Sequence, residues 1–504
     1  MEDLLVDEET KEILIDFIKN TDDFLIIDGA AGSGKTTSIA WALNYCNQNN
    51  ITTNAVSYTG KAASMIRDKT NGDYGQTIHL FLYRYDYDNE EGEFQEGEQG
   101  RNRILNETPV DILFVDESSM ISKRVQGFAV NDANTYLLDE LINLQCKNNS
   151  KKIVFVGDHR QLAPVEKEDH HDSEDNTNKV TDDSEEFTSE NSIFTDALNE
   201  NVLKEHYNLR GSTFTPIENY RQDKESVINN IQFELAKKIT VKEEIFENPS
   251  DWVKENFPDL IFTNKDDAYA WLKEKRDDVG WLNTRVVSGF NSSVDEFNSD
   301  IRSKVEEMTG EIDESKFKST HPLMNLRNKH HVEIYNGDTF FIEETIEENC
   351  YITNEGFNCE KTSQGHIQCR QDRSESFKLN KVKVSLKRDV GSSKEVLMMN
   401  ELIKLEIARR DLDDRYEKNL WLDFAHRNPE LEKEKDFQWY QMLREDEVKN
   451  ALIVVHAFAS TVHKAQGDEF KYVLVDLDNE QFNLKWLYTA ITRAVDEVRF
   501  LCTN

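Results

Sequence analysis

Short runs rich in β-formers recur at residues 24–27, 55–58, 112–115 and 153–156, and each closes on a polar or glycine-containing segment. Helical patterns lie between several of them, as over residues 38–47. That alternation predicts a parallel sheet wrapped by helices, an arrangement whose ligands sit beyond the carboxyl ends of the strands. A second set of such runs at 285–290, 452–458, 472–475 and 498–501 predicts a second α/β domain, interrupted by a long insertion over 336–450. The insertion begins with small-barrel alternation. Residues 395–448 then carry helix formers with Trp421, Phe424, Trp439 and Tyr440, which read as a packed helical core rather than a base-stacking face. Residues 81–105 run from tyrosines through an acidic, glycine-containing tip to Arg101, Arg103, Ile104 and Leu105, the pattern of a protruding β-hairpin. No internal repeat is present.

The chemistry gathers at the predicted strand ends. Gly29, Gly32 and Gly34, followed by Lys35, Thr36 and Thr37, stand directly after the first run and directly before a helix, and fit G-x-x-x-x-G-K-[ST]. Glycines let the backbone curl so that its N–H groups cradle phosphates; Lys35 would meet the β- and γ-phosphates and Thr36 would hold Mg²⁺. The third run ends in Asp116 and Glu117. Asp116 suits a metal, directly or through water, and Glu117 suits a base that orients and deprotonates the attacking water. After the fourth run come Gly157, Asp158, His159, Arg160 and Gln161, then Pro164 and Val165; the neutral Gln161 amide can sense a γ-phosphate by hydrogen bond.

Composition changes this picture in one respect. A chain of 504 residues with 38% hydrophobic residues can bury more than one core. No stretch approaches the roughly 20 apolar residues of a membrane span, the acidic N-terminus lacks signal-peptide character, and six scattered cysteines suit a reducing cytoplasm. Cys350, Cys359, His366 and Cys369 lack the close cysteine pairs of most zinc sites and read as alternating strand residues. The net charge of −37 is unexpected for a protein that grips a polyanion. It is unevenly placed: residues 166–190 hold eleven acidic and two basic side chains, and residues 86–98 seven acidic and none basic. Such runs read as solvated loops, which leaves room for a narrow strand channel.

The Gly157–Val165 string resembles the third motif of superfamily-one helicases, and the resemblance extends along nearly the whole chain. Thr59 and Lys61, within Tyr58-Thr59-Gly60-Lys61-Ala62-Ala63, resemble the motif that grips single-stranded DNA, and Thr77 and His79 the one beside it. Hydroxyls, helix N-termini and backbone amides suit sugar–phosphate contacts that grip without reading sequence. Asn219-Tyr220-Arg221-Gln222 is similar to the fourth motif, and the string from Leu487 to Ala494 to the sixth; these imply Arg221 and Arg493 as arginines that reach the γ-phosphate. The string from Ser460 to Gly467 resembles the fifth motif of the RecD-like branch. It implies Thr461 and His463 towards the DNA backbone and Gln466 and Gly467 towards the nucleotide, although a hydroxyl and an imidazole in a loop can also be plain caps.

Further likeness at 291–298, which includes Asn291 on the DNA side, at 335–338 and around Trp439 identifies the chain with the 5′-to-3′ branch that holds the RecD-like and phage Dda-type helicases. The resemblance implies two RecA-like P-loop domains: a first over 1–210, carrying the 81–105 hairpin as a pin and the acidic loop 166–190, and a second over 211–335 and 451–504. An SH3-like plus helical insertion, 336–450, would brace the pin. It implies a monomeric, cytoplasmic, DNA-stimulated ATPase that uses ATP and Mg²⁺, moves 5′ to 3′ on single-stranded DNA and opens forked duplex in phage-type replication, recombination or repair. Single-strand-binding or replisome proteins would be its partners, with no membrane involved. The glutamine that contacts adenine in relatives is replaced at Glu8-Glu9-Thr10-Lys11, which leaves the choice of base open. Two other readings share parts of these motifs: a translocase that strips proteins or an RNA helicase on the same motor, and an ATP-gated scaffold that would need neither Glu117 nor two arginines aimed at a γ-phosphate.

Overall fold

The computed structural model describes residues 6–85, 103–105, 109–121, 136–162, 196–216, 218–222, 226–239, 249–258, 260–309, 321–329, 331–353, 356–361, 367–372, 378–389, 392–399, 420, 422–429, 442–477 and 483–502. Two parallel sheets form its frame. In the first, β1 (Phe24–Asp28), β2 (Thr53–Ser57), β3 (Gln76–Thr77), β4 (Ile112–Asp116), β5 (Lys152–Gly157) and β6 (Gly211–Phe214) lie in the order β3-β2-β4-β5-β1-β6. β1 and β4 are buried along their full length. Phe24, Ile26, Leu113 and Val115 enter one core, and Leu25, Ile27, Ile112 and Phe114 the other. A strand that feeds apolar layers on both faces needs an unbroken apolar run, which is why these segments stand out in the sequence.

The second sheet takes β7 (Ile261–Thr263), β8 (Thr284–Ser288), β9 (Ala459–Thr461), β10 (Phe470–Asp476) and β11 (Ala494–Leu501) in the order β9-β8-β10-β11-β7, again all parallel. Val286 and Leu474 point to one core, Val287, Val473 and Val475 to the other. The helices that matter below are α1 (Lys35–Gln48), α2 (Gly60–Lys69), α3 (Ile78–Leu82), α4 (Val227–Lys238), α5 (Asn291–Thr309), α6 (Val462–Ala465) and α7 (Leu484–Ile491). No helix among the described residues is long and apolar enough to cross a membrane.

A third, antiparallel sheet runs in the order Ser393–Met399, Lys378–Leu386, Thr339–Ile352, Leu323–Asn325, Val454–His456 around its own apolar core of Phe340, Val382, Val384, Leu452 and others. The 452–458 run, expected as a strand of the second parallel sheet, instead supplies Val454–His456 to this antiparallel one. Ala459–Thr461, three residues on, is the strand that joins β8. A continuous apolar run does not show which sheet it enters. The base of the expected hairpin is present, with Tyr83–Tyr85 antiparallel to Arg103–Leu105; its tip and the 166–190 loop lie outside the described residues. Phe424 is buried, as expected of a helical core, while Trp421, Trp439 and Tyr440 lie outside the described residues. Cys359 is the register partner of Cys369 in a short antiparallel ladder, and His366 lies outside the described residues.

Candidate active site

The loop after β1 curls through Gly32 (φ 85°) and Gly34 (φ 78°), a left-handed geometry that side chains resist, and delivers the chain into α1. Lys35 Nζ donates to the carbonyls of Gly29 (2.8 Å) and Ala30 (3.0 Å), so the ammonium lies folded over its own loop. Burial lowers its proton affinity, against the opposing pull of Asp158, Glu117 and Asp116. The Thr36 hydroxyl donates to Asp116 Oδ2 at 3.0 Å, and Lys69 donates to the Thr37 hydroxyl at 2.8 Å.

Asp116 closes β4 and accepts from the Glu117 amide at 2.9 Å. Glu117 then takes φ 54°, ψ 38°, a conformation costly for a non-glycine residue and typical of functional turns. Burial, with Asp116 next to it, pushes the Glu117 carboxyl up to about 7, while Lys35 and Arg493 pull the other way. Burial also raises Asp116. Asp158, beyond β5, goes in the opposite sense: burial alone would raise it, but Arg160 and Lys35 bring it down to about 2. Arg160 Nε sits 2.6 Å from Asp158, and His159 Nδ1 lies 2.6 Å from Asp28, so these carboxylates are already matched by cationic or ring nitrogens.

The other wall of the cleft comes from the second half of the chain. Tyr488, on α7, donates its hydroxyl to Asp158 Oδ2 (2.9 Å) and accepts from the Ala31 amide in the phosphate loop (3.3 Å). Thr489 Oγ1 accepts from the Leu162 amide at 3.0 Å. Gln466 Nε2 donates to Gln161 Oε1 at 3.2 Å, so the two glutamines meet across the cleft. Arg493 is 1% exposed and its guanidinium bonds the Thr489 carbonyl (3.0 Å), the Thr492 hydroxyl (2.9 Å) and the Asp468 carbonyl (3.2 Å). Burial, with Arg221 nearby, lowers it to about 10, which leaves it charged at neutral pH.

The 218–222 segment lies directly on the phosphate loop: the Tyr220 amide donates to the Gly32 carbonyl at 2.8 Å, and a Cβ at Gly32 would collide with Asn219 and Arg221. Arg221 Nη1 donates to the Thr492 carbonyl (2.8 Å) and Nη2 pairs with Glu469 (2.5 Å). The Tyr220 ring stands 3.3 Å from where a Gly34 Cβ would be and is 44% exposed. Neither Tyr220 nor Tyr488 is singled out by sequence reasoning, although both lie inside motif strings. An aromatic side chain gives no chemical signal of its own in sequence. Where an adenine-contacting glutamine is sought, Thr10 is buried with its hydroxyl on Asp7, the cap of helix Glu8–Lys19.

The residues expected to face DNA behave differently. Thr59, Thr77 and Thr461 are N-caps of α2, α3 and α6, their hydroxyls accepting from the amides of Ala62 (3.2 Å), Leu80 (3.3 Å) and Lys464 (3.3 Å). His79 lies between the Tyr58 and Tyr83 rings, with centroids 6.3 and 6.2 Å away. His463 is partly buried in α6, Asn291 opens α5, and Gly467 (φ 82°) turns the chain out of α6. Lys61, expected on the strand side, is 11% exposed and ion-paired with Asp468 at 2.6 Å.

Residues 6–179 match the AAA domain family, and residues 456–501 match the UvrD-like helicase C-terminal domain family. Over 168 residues the chain is 29% identical to an uncharacterised protein of Methanocaldococcus jannaschii; the match covers 31% of this chain and only 12% of that protein's length. Among solved structures, the Pif1 helicase from Candida albicans aligns with a TM-score of 0.50 at 14% identity, over 99% of this chain and 95% of that one. Pif1 from Bacteroides in complex with ADP-AlF3 and single-stranded DNA gives 0.47 at 16% identity, over 100% and 94%. The expected α/β architecture with two parallel-sheet domains holds, and the fold is the one found in the Candida protein.

Proposed function

We infer, from an AAA domain at one end of the chain and a UvrD-like helicase C-terminal domain at the other, that the protein is an ATP-dependent DNA helicase of superfamily one. The observation that carries this is the shared cleft: Ala31 bonds Tyr488, Gln161 bonds Gln466, and Arg493 bears on Glu117, so each wall holds groups the other lacks. In this reading the limits expected from the sequence, 1–210, 211–335 with 451–504, and 336–450, shift at two points: Gly211–Phe214 pairs with β1 and belongs to the first domain, and Leu323–Asn325 and Val454–His456 belong to the antiparallel sheet of the insertion.

ATP would lie with its phosphates on the Gly29–Thr37 loop, displacing the Lys35 ammonium from the Gly29 and Ala30 carbonyls onto the β- and γ-phosphates. The exposed Tyr220 ring beside Gly34 offers a stacking face to the base, and stacking accepts any base, which fits the missing glutamine. The Thr36 hydroxyl and Asp116 carboxylate form an oxygen pair that suits Mg²⁺ and would hold it. Bound there, the ion would offset charge on the β- and γ-phosphates. Glu117, poised near neutrality, takes the proton of the attacking water, which Gln161 helps to orient. Arg493 and Arg221 meet charge that builds on the transferring phosphoryl oxygens.

Closure around ATP and opening after hydrolysis would shift the two strand-gripping sets, Thr59, Lys61, Thr77 and His79 on one side and Asn291, Thr461 and His463 on the other, along single-stranded DNA by turns. Translocation 5′ to 3′, forked duplex as substrate and a monomeric cytoplasmic state complete the reading. Strand displacement on DNA forks with a 5′ or a 3′ tail, with and without ATP, tests it. The 5′-tailed fork should open only with ATP, and not in Lys35→Ala. Hydrolysis stimulated by single strands without opening of either fork would instead indicate a translocase, and preferential stimulation by RNA an RNA track.

A further inference from the structure

The turn after Gly467 carries two consecutive carboxylates, and each holds a cation that the helicase reading assigns to a ligand. Asp468 Oδ2 lies 2.6 Å from Lys61 Nζ, with both side chains largely buried. Glu469 Oε1 lies 2.5 Å from Arg221 Nη2, and the buried Arg221 Nε has no partner. The insertion meets the same turn, since Lys387 donates to the Glu469 carbonyl and stands 3.6 Å over the Phe470 ring. Arg285 stacks on that ring at 4.6 Å; it is 1% exposed, its Nε and one Nη are unpartnered, and Asp468 is the carboxylate whose field reaches it.

We propose that Asp468 and Glu469 are positioning residues: Asp468 competes with the DNA backbone for Lys61 and Glu469 competes with the γ-phosphate for Arg221, so that single strand and nucleotide each displace a carboxylate of one turn. The proposal rests on the helicase reading above. A phosphate and a carboxylate compete for the same ammonium or guanidinium, so each pair sets a threshold that its ligand must exceed. Because the two carboxylates are adjacent in the chain, release of one shifts the backbone that carries the other, and coupling of this kind is reciprocal. Reversibility has a physical basis in Arg285 and Lys387. When Lys61 leaves, they remain beside Asp468, so the buried carboxylate is not stranded without a counter-charge.

The test uses the full chain as wild type, Asp468→Asn, Glu469→Gln and the double variant Lys61→Gln/Asp468→Asn. Binding of a labelled oligothymidylate is followed without nucleotide across a salt series, and ATPase without DNA. Asp468→Asn should bind the oligonucleotide severalfold more tightly, with a log–log salt slope steeper by about one. The double variant should lose that gain. Glu469→Gln should hydrolyse ATP severalfold faster without DNA, and its stimulation by DNA should shrink. Increases of this kind do not come from impaired folding, and the half-exposed Glu469 keeps the test open if Asp468→Asn proves unstable. Absence of either increase in well-folded variants of an active protein overturns the proposal and leaves the helicase reading standing. A wild-type protein that neither binds the strand nor hydrolyses ATP overturns both.

Discussion

The proposed nucleotide cleft and the motifs proposed to face a strand are both written as short strings in the sequence, yet the folded chain uses them differently. In the cleft, residues from distant strings converge and tune one another: Glu117 is raised to about 7 while Asp158, also close to Lys35, is lowered to about 2. On the strand side, three threonines expected to grip DNA already serve as helix caps, and Lys61 is occupied by Asp468. A site that performs bond chemistry needs its groups in place before the substrate arrives. A surface that grips and releases along a track can share its groups with the fold.

That contrast is open to direct attack. The largest expected effect is in Glu117→Gln, which should lower DNA-stimulated ATPase by about 10²–10⁴-fold while ATP still binds, as measured by steady-state turnover and nucleotide-binding titration. Retained turnover would remove Glu117 from the chemistry. Arg493→Lys should lose nearly as much as Arg493→Ala, about 10³-fold, because a point charge cannot reproduce the planar fork; full rescue by lysine would show that only charge matters.

The pH profile of kcat/KM comes next. In the proposed role as base Glu117 must be ionised, and its pKa is raised, so activity should be present above about 7 and fall about tenfold per unit as pH drops below it. A flat profile between pH 5 and 8 would break the pairing of the two tuned carboxylates. Tyr220→Ala should weaken ATP and GTP binding alike by about tenfold, since a lost stacking face costs on the order of 1–3 kcal/mol for any base. The smallest effect sharpens the strand side. Thr59→Ala and Thr461→Ala should each cost about 1 kcal/mol of stability as lost caps, read from denaturant unfolding. If single-strand affinity is unchanged in both, their hydroxyls serve the fold alone.

Much of this was legible in sequence because parallel strands buried on both faces leave unbroken apolar runs, as at Phe24–Asp28 and Ile112–Asp116, and because ligands gather just past their ends. Lys35, Thr36, Asp116, Glu117, Gln161 and Arg493 accordingly meet in one cleft. What escaped was pairing between distant segments. Nothing local in Asp468 predicts that it closes on Lys61, and nothing in Val454–His456 tells that it joins an antiparallel sheet while Ala459–Thr461 joins a parallel one. Tyr488 escaped because a phenol placed between a backbone amide and a carboxylate acquires its importance only from those neighbours.

Leu323–Asn325 and Val454–His456 pair side by side, although well over a hundred residues separate them. The chain therefore departs from the second domain and returns to it through neighbouring β-strands, about 5 Å apart. The doorway is braced from beyond as well: Leu379, Met399 and Leu420 of the inserted module pack into the same core as Val286 and Leu474, and Lys387 reaches the Glu469 carbonyl, so strain anywhere in the module has a short route back to the turn that carries Asp468 and Glu469.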